Sequence, residues 1–111
     1  MGKFVISTRK NGEFQYNLKA DNGQVILGSN GYSTKAALKN AIWSTQRLAM
    51  NEKNFERMTA KNGKYYFNLK AENGRIIGSS EMYESVSGRD HGIVSVMNNS
   101  QTDVIEDKTK D

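Results

Sequence analysis

Few residues of this 111-residue chain have the type and spacing that reaction chemistry requires. His91 is the sole histidine, and Asn40 stands 51 positions before it in a chain that repeats itself at that offset. The position therefore accepts a plain polar group and reads as a solvated helix surface, since a general base needs a nucleophile and an orienting partner in reach. Glu81 and Glu84 flank Tyr83, but their counterparts are Asn30 and Ser33, which suits loop and cap solvation better than a carboxylate pair. Gly23 to Gly28 has the outer spacing of a phosphate-binding loop, yet Ser29-Asn30 stands where Lys-Ser/Thr is required, and Gln24 to Leu27 is strand-like. Cysteine is absent, which removes thiolate nucleophiles, disulfides and the usual zinc sites together. No catalytic residue, metal or cofactor is expected, and the chain reads as non-enzymatic.

The set with binding potential lies on alternating strand positions. If Phe14, Tyr16 and Leu18 point into a core, Gln15, Asn17 and Lys19 point out, and the second copy presents Tyr66, Asn68 and Lys70, with Arg75 nearby. Asn17/Asn68 and Lys19/Lys70 are kept between the copies. Duplication alone accounts for that retention. The functional reading is an open sheet face that takes a nucleic acid, with Tyr66 stacking on a base and Lys19 and Lys70 on phosphates.

The elements that must position these residues come in two sets. Residues 4–51 overlay 55–102 without a gap, and Phe4, Asn11, Gly12, Asn17, Leu18, Lys19, Gly23, Ser29 and Tyr32 are among those that recur. A fixed-period repeat marks one supersecondary unit used twice. Within it, Phe4 to Thr8 is strand-like, Asn11-Gly12 is a turn, and Phe14 to Ala20 alternates as a half-buried strand. Asp21-Asn22-Gly23 turns the chain through left-handed backbone angles into Gln24 to Leu27. Ser33 then offers an N-cap to a helix that buries Leu38, Ala41, Ile42, Thr45 and Leu48 and exposes Lys35, Lys39 and Arg47. The second copy repeats this with a helix opening near Ser85, and the tail from Thr102 to Glu106 has strand character. A half of about 50 residues is marginal alone, so residues 1–111 are expected to form one domain with a shared core, closed by a C-terminal strand and acidic tail at 103–111.

The second helix carries Gly88 and Gly92 where the first has Ala37 and Ala41. Small residues four apart in both copies predict a close helix approach.

Net charge is +4, distributed unevenly: residues 1–51 carry seven Lys/Arg against two acids, 52–102 seven against six, and the tail two against four. This excess favours polyanions without identifying one. No stretch is long and apolar enough for a signal peptide or membrane helix, so a cytoplasmic location without a membrane partner is expected.

Asn62 to Ala71, followed by Ile76-Ile77-Gly78-Ser79-Ser80, Met82-Tyr83 and Gly92-Ile93, closely resembles the YegP-like family of small bacterial proteins, and Asn11 to Ala20 is a looser copy. The resemblance implies an α+β fold of tandem three-strand-plus-helix units, merged into a single antiparallel sheet with two helices on one face and exchanged terminal strands. A segment near Phe55 would follow the first helix and open the second unit, with Val104 and Ile105 as its counterpart. The family supplies no catalytic residues, and Trp43 and Gln46 depart from its pattern. A three-stranded sheet on one helix also resembles the plant AP2-type DNA-binding unit, at the level of fold analogy. The chain is expected to be an interaction or stress-associated protein, monomeric with internal pseudo-two-fold symmetry. A strand-swapped dimer hinged at residues 50–54 is the alternative assembly.

Overall fold

Four Asn-Gly pairs set the frame. In the computed structural model, which describes residues 2–109, Gly12, Gly23, Gly63 and Gly74 take φ between 84° and 88°. The asparagine before each accepts the N–H of the residue after the glycine, at 2.9–3.0 Å. Only the glycines are left-handed, so each hairpin is a turn closed by a glycine bulge, with no left-handed asparagine. The turns delimit β1 (Lys3–Thr8), β2 (Phe14–Lys19) and β3 (Val25–Ser29) in one repeat. Their counterparts are β4 (Phe55–Thr59), β5 (Tyr65–Lys70) and β6 (Ile76–Ser79) in the other.

Each triplet leads into a helix, α1 (Lys35–Leu48) or α2 (Val86–Asn99). The cap of α1 is Thr34, one residue beyond the expected Ser33: its hydroxyl accepts the Ala37 N–H at 3.1 Å, as Ser85 accepts that of Gly88 at 2.9 Å. Thr34 and Ser85 are 51 apart, so the cap follows the repeat. The last strand is β7 (Ile105–Asp107); Lys110 and Asp111 of the acidic tail lie outside the described residues.

One sheet results, in the order β4-β5-β6-β3-β2-β1-β7. The two meanders meet where Gly28 of β3 faces Ser79 of β6, and these are equivalent positions, so a pseudo-two-fold axis passes through this pair. β4 leaves α1 to open the second repeat. β7 leaves α2 and crosses back to β1, where Phe4 N–H donates to Val104 O at 3.1 Å and Lys108 N–H to Ile6 O at 2.9 Å. That is the exchanged strand, and its pairing is parallel, whereas the other five pairings are antiparallel.

Both helices cover one face and share one core. Phe4 meets Tyr16 edge-on at 5.1 Å, and Phe55 meets Phe67 likewise at 5.7 Å. The buried side of α1 is Leu38, Ala41, Ile42, Thr45 and Leu48, the stripe its 3.6-residue period predicts. In α2 the close approach is at Gly92, where a Cβ would sit 2.7 Å from Tyr83 Cζ and 3.1 Å from Phe67 Cε2. Only glycine lets α2 lie that near the rings.

The sheet's two edges differ. β1 is covered by β7, and Ile6 and Leu38 beneath that cover are fully buried. Among the described residues β4 has β5 as its single neighbour, and the equivalent positions are Arg57 and Arg89. Arg57 binds Glu52 at 2.9 Å and Asp90 at 3.0 Å, while Arg89 lies over the Tyr65 ring and donates to Met58 O at 3.4 Å. The ion-paired and partly exposed Arg57 at this uncovered edge opposes pairing with another strand, because a docking strand would have to desolvate it, whereas Arg89 is already buried.

Candidate interaction surfaces

The register of the sheet places the outward residues in rows. Glu56, Asn68, Ser79, Gly28, Asn17, Val5 and Glu106 succeed one another across all seven strands from β4 to β7. No helix of the described residues lies over this face, since both pack on the other. The row has amides near its centre and carboxylates at both ends, each met by a cation: Lys70 reaches Glu56 at 3.4 Å, and Lys3 reaches Glu106 at 3.6 Å.

The seven residues expected on this face lie in different settings. Asn68 points outward yet is buried, its Oδ1 accepting the Ser79 hydroxyl at 2.7 Å. Asn17 is half-buried against Gly28, whose missing Cβ would come 3.2 Å from Asn17 Oδ1. Gln15 accepts from Arg9 Nε at 2.7 Å and donates to Ser7 Oγ at 3.3 Å. Lys19 and Lys70 are equivalent, but Lys70 is drawn to Glu56 while Val5 stands at the position matching Glu56 near Lys19. Tyr66 is half-buried and Arg75 exposed. The fold thus brings Asn17 and Asn68 into one row and leaves Arg75 at the turn before β6.

Groups that could have carried chemistry are dispersed. His91 is exposed on α2, and Glu84 pairs with Lys64 at 3.0 Å. Burial, then the nearby Glu81, raises the Tyr83 phenol above its ordinary pKa. Among the described residues, no group of three His, Asp or Glu side chains could hold a metal ion, and no helix is long and apolar enough to cross a membrane.

A second surface lies on the solvent side of α1. Ala36, Asn40, Trp43, Arg47 and Met50 are exposed at 4-3-4-3 spacing, so they line one side of the helix and the turn after it. Trp43 is 68% exposed and Met50 70%. With Gln46, Arg47 and Gln101 they line a depression of about 370 Å³. Its wall is tied across the repeats: Gln46 Nε2 donates to Thr102 O at 2.7 Å, and Gln101 Nε2 to Gln46 O at 2.9 Å. Trp43 and Gln46 stand out in the sequence as departures from the family pattern, but sequence reasoning missed the surface itself, for which the 4-3-4-3 spacing of the exposed row is the signal.

Together these features define a class: a tandem protein of three-strand-and-helix units, whose final strand returns to the first unit. The profile described as a domain of unknown function, DUF1508, matches residues 10–56 and 60–107, and the chain belongs to that family. A UPF0339 protein of Acinetobacter baylyi is 45% identical over 97% of both chains. The UPF0339 protein YegP of Escherichia coli K12 is 42% identical over 97% of this chain and 98% of its own. The solution structure of the E. coli yegP protein, described as of unknown function, superposes with a TM-score of 0.94 at 41% identity, covering 99% of this chain and 95% of that one. That of a Shewanella oneidensis UPF0339 protein gives 0.89 at 46% identity, covering 96% and 90%.

Proposed function

We propose that this chain is a non-enzymatic, monomeric interaction module of the bacterial cytoplasm that engages a protein partner through the solvent side of α1. The observation that carries this reading is the exposure of Trp43 and Met50 beside Arg47 around one depression. Trp, Met and Arg are enriched in the centres of protein interfaces, and a tryptophan in water forgoes the largest apolar burial of any side chain. A photo-crosslinking residue at position 43, with position 94 as the equivalent control on α2, tests it in native lysate. A discrete protein joined at 43 and absent at 94, and competed by unlabelled protein, is the expected result; equal labelling at both positions would reject the reading.

Nucleic-acid binding on the outer sheet face is a second reading, favoured by Lys19, whose equivalent Lys70 has Glu56 beside it while Lys19 has Val5. Fluorescence anisotropy of labelled DNA and RNA at two salt concentrations tests it with a Lys19→Ala/Lys70→Ala variant. This reading requires salt-sensitive saturation that the variant loses, and no binding at low salt would retire it.

A further inference from the structure

We infer that the partner segment received by α1 is an acidic amphipathic helix, an inference that rests on the reading of α1 as the working surface. The exposed row Ala36, Asn40, Trp43, Arg47 and Met50 runs straight along the helix and its C-terminal turn. Spacing of 4-3-4-3 is the geometry by which one helix follows another, whereas an extended peptide has no reason to match it. The depression of about 370 Å³ at the end of the row has room for one bulky apolar side chain, and Trp43 and Met50 supply apolar walls for it.

Charge selects the sign of the partner. α1 carries Lys35, Lys39 and Arg47 and no acid. Lys35 is engaged with Asp107 at 3.1 Å, and Arg47 approaches Glu72 only at 3.9 Å with both side chains exposed, so a partner carboxylate readily displaces that contact. Arg47 within the row and Lys39 beside it therefore present two positive charges on this side of the helix. A partner with acidic flanks gains long-range attraction and register from them.

The molecule contains its own control. The equivalent row on α2 is Ser87, His91, Val94, Asn98 and Gln101, exposed on the same backbone scaffold but without Trp, Arg or Met. Specialisation of one row of a duplicated pair points to a ligand for that row.

The variant Trp43→Val/Arg47→Asn/Met50→Gln installs residues that the fold already carries 51 positions later, so its melting temperature and circular dichroism should match the parent. The probe is a fluorescein-labelled synthetic peptide of about three heptads, with Leu and Phe at 4-3 spacing and Glu elsewhere. Its controls are the Lys-for-Glu peptide, a scrambled peptide, and phosphatidylglycerol vesicles. The expected result is saturable binding of the acidic peptide that weakens with salt, is at least tenfold weaker in the variant, and shifts the emission of the single tryptophan to the blue. Equal binding of the scrambled or basic peptide, indifference to the variant, or vesicle binding without peptide binding would each overturn the inference. Peptide failure with a discrete crosslink at position 43 rejects the acidic helix and keeps α1 as the surface; failure of both rejects the two together.

Discussion

The Tyr16 hydroxyl lies 2.5 Å from that of Thr45, joining β2 to α1 in the middle of the core, with both side chains wholly buried. Thr45 gives its own proton to Ala41 O at 2.8 Å, so Tyr16 is the donor to Thr45. In the second repeat the same pair is Phe67 and Val96, also wholly buried. The chain therefore holds both solutions to one packing problem: a satisfied polar pair, and its apolar isostere.

The two solutions should exchange. Thr45→Val alone leaves a buried phenol without its acceptor and should cost about 1–3 kcal/mol, whereas Tyr16→Phe alone should cost about 1 kcal/mol. The double variant should lie close to the parent. Urea unfolding of all four proteins measures the coupling, and strictly additive costs would show that the hydrogen bond carries none of it.

Burial pushes the Tyr16 phenol well above its ordinary pKa of 10. Above pH 10 the unfolded chain releases this proton and the folded chain keeps it, so the folded state binds more protons and stability falls as pH rises. Tyr16→Phe should flatten that alkaline decline, leaving a residual slope to which Tyr83, also raised, contributes. Unfolding free energies between pH 8 and 11 test this, and parallel profiles for parent and variant would refute it.

At Gly92 the Tyr83 and Phe67 rings occupy the space a side chain would need. Gly92→Leu should destabilise by about 1–3 kcal/mol, the cost of overpacking, despite the gain in helix propensity. A melting temperature equal to the parent's would mean that α2 can lift from the sheet without loss.

Arg57 and its two carboxylate partners guard the edge at β4. Arg57→Val gives this edge the apolar character that Ile6 has on β1, without a strand such as β7 to hide it. Concentration-dependent self-association should follow, visible by sedimentation velocity in the variant and absent from the parent. A variant that self-associates no more than the parent would show that the edge is protected by something else.

Short-range pattern carried most of this fold. The turn asparagines and glycines, the alternation of β2 and β5, and the buried side of α1 all follow from spacing within a dozen residues. The parallel pairing of β7 did not, because it joins residues about a hundred positions apart and a three-residue strand has little periodicity. Outward direction in β5 was readable, but the burial of Asn68 was not, since it depends on Ser79 in the neighbouring strand. The pairing of Lys70 with Glu56 needed the register of β4 against β5. Arg57 and Arg89 are unreadable for a related reason: whether Ile6 or Arg57 fits that position depends on which strand, if any, lies outside it.

Because β7 is made after everything it completes, the cover over β1 arrives last. Both meanders and both helices precede Ile105 in the chain, and the cover is complete only when Ile105 reaches Phe4. Until then β1 is a bare apolar strand edge, a template for any neighbouring nascent chain. The protein is thus open to misassembly at β1 for as long as the segment from Val104 to Lys108 is unpaired, and its docking ends that exposure.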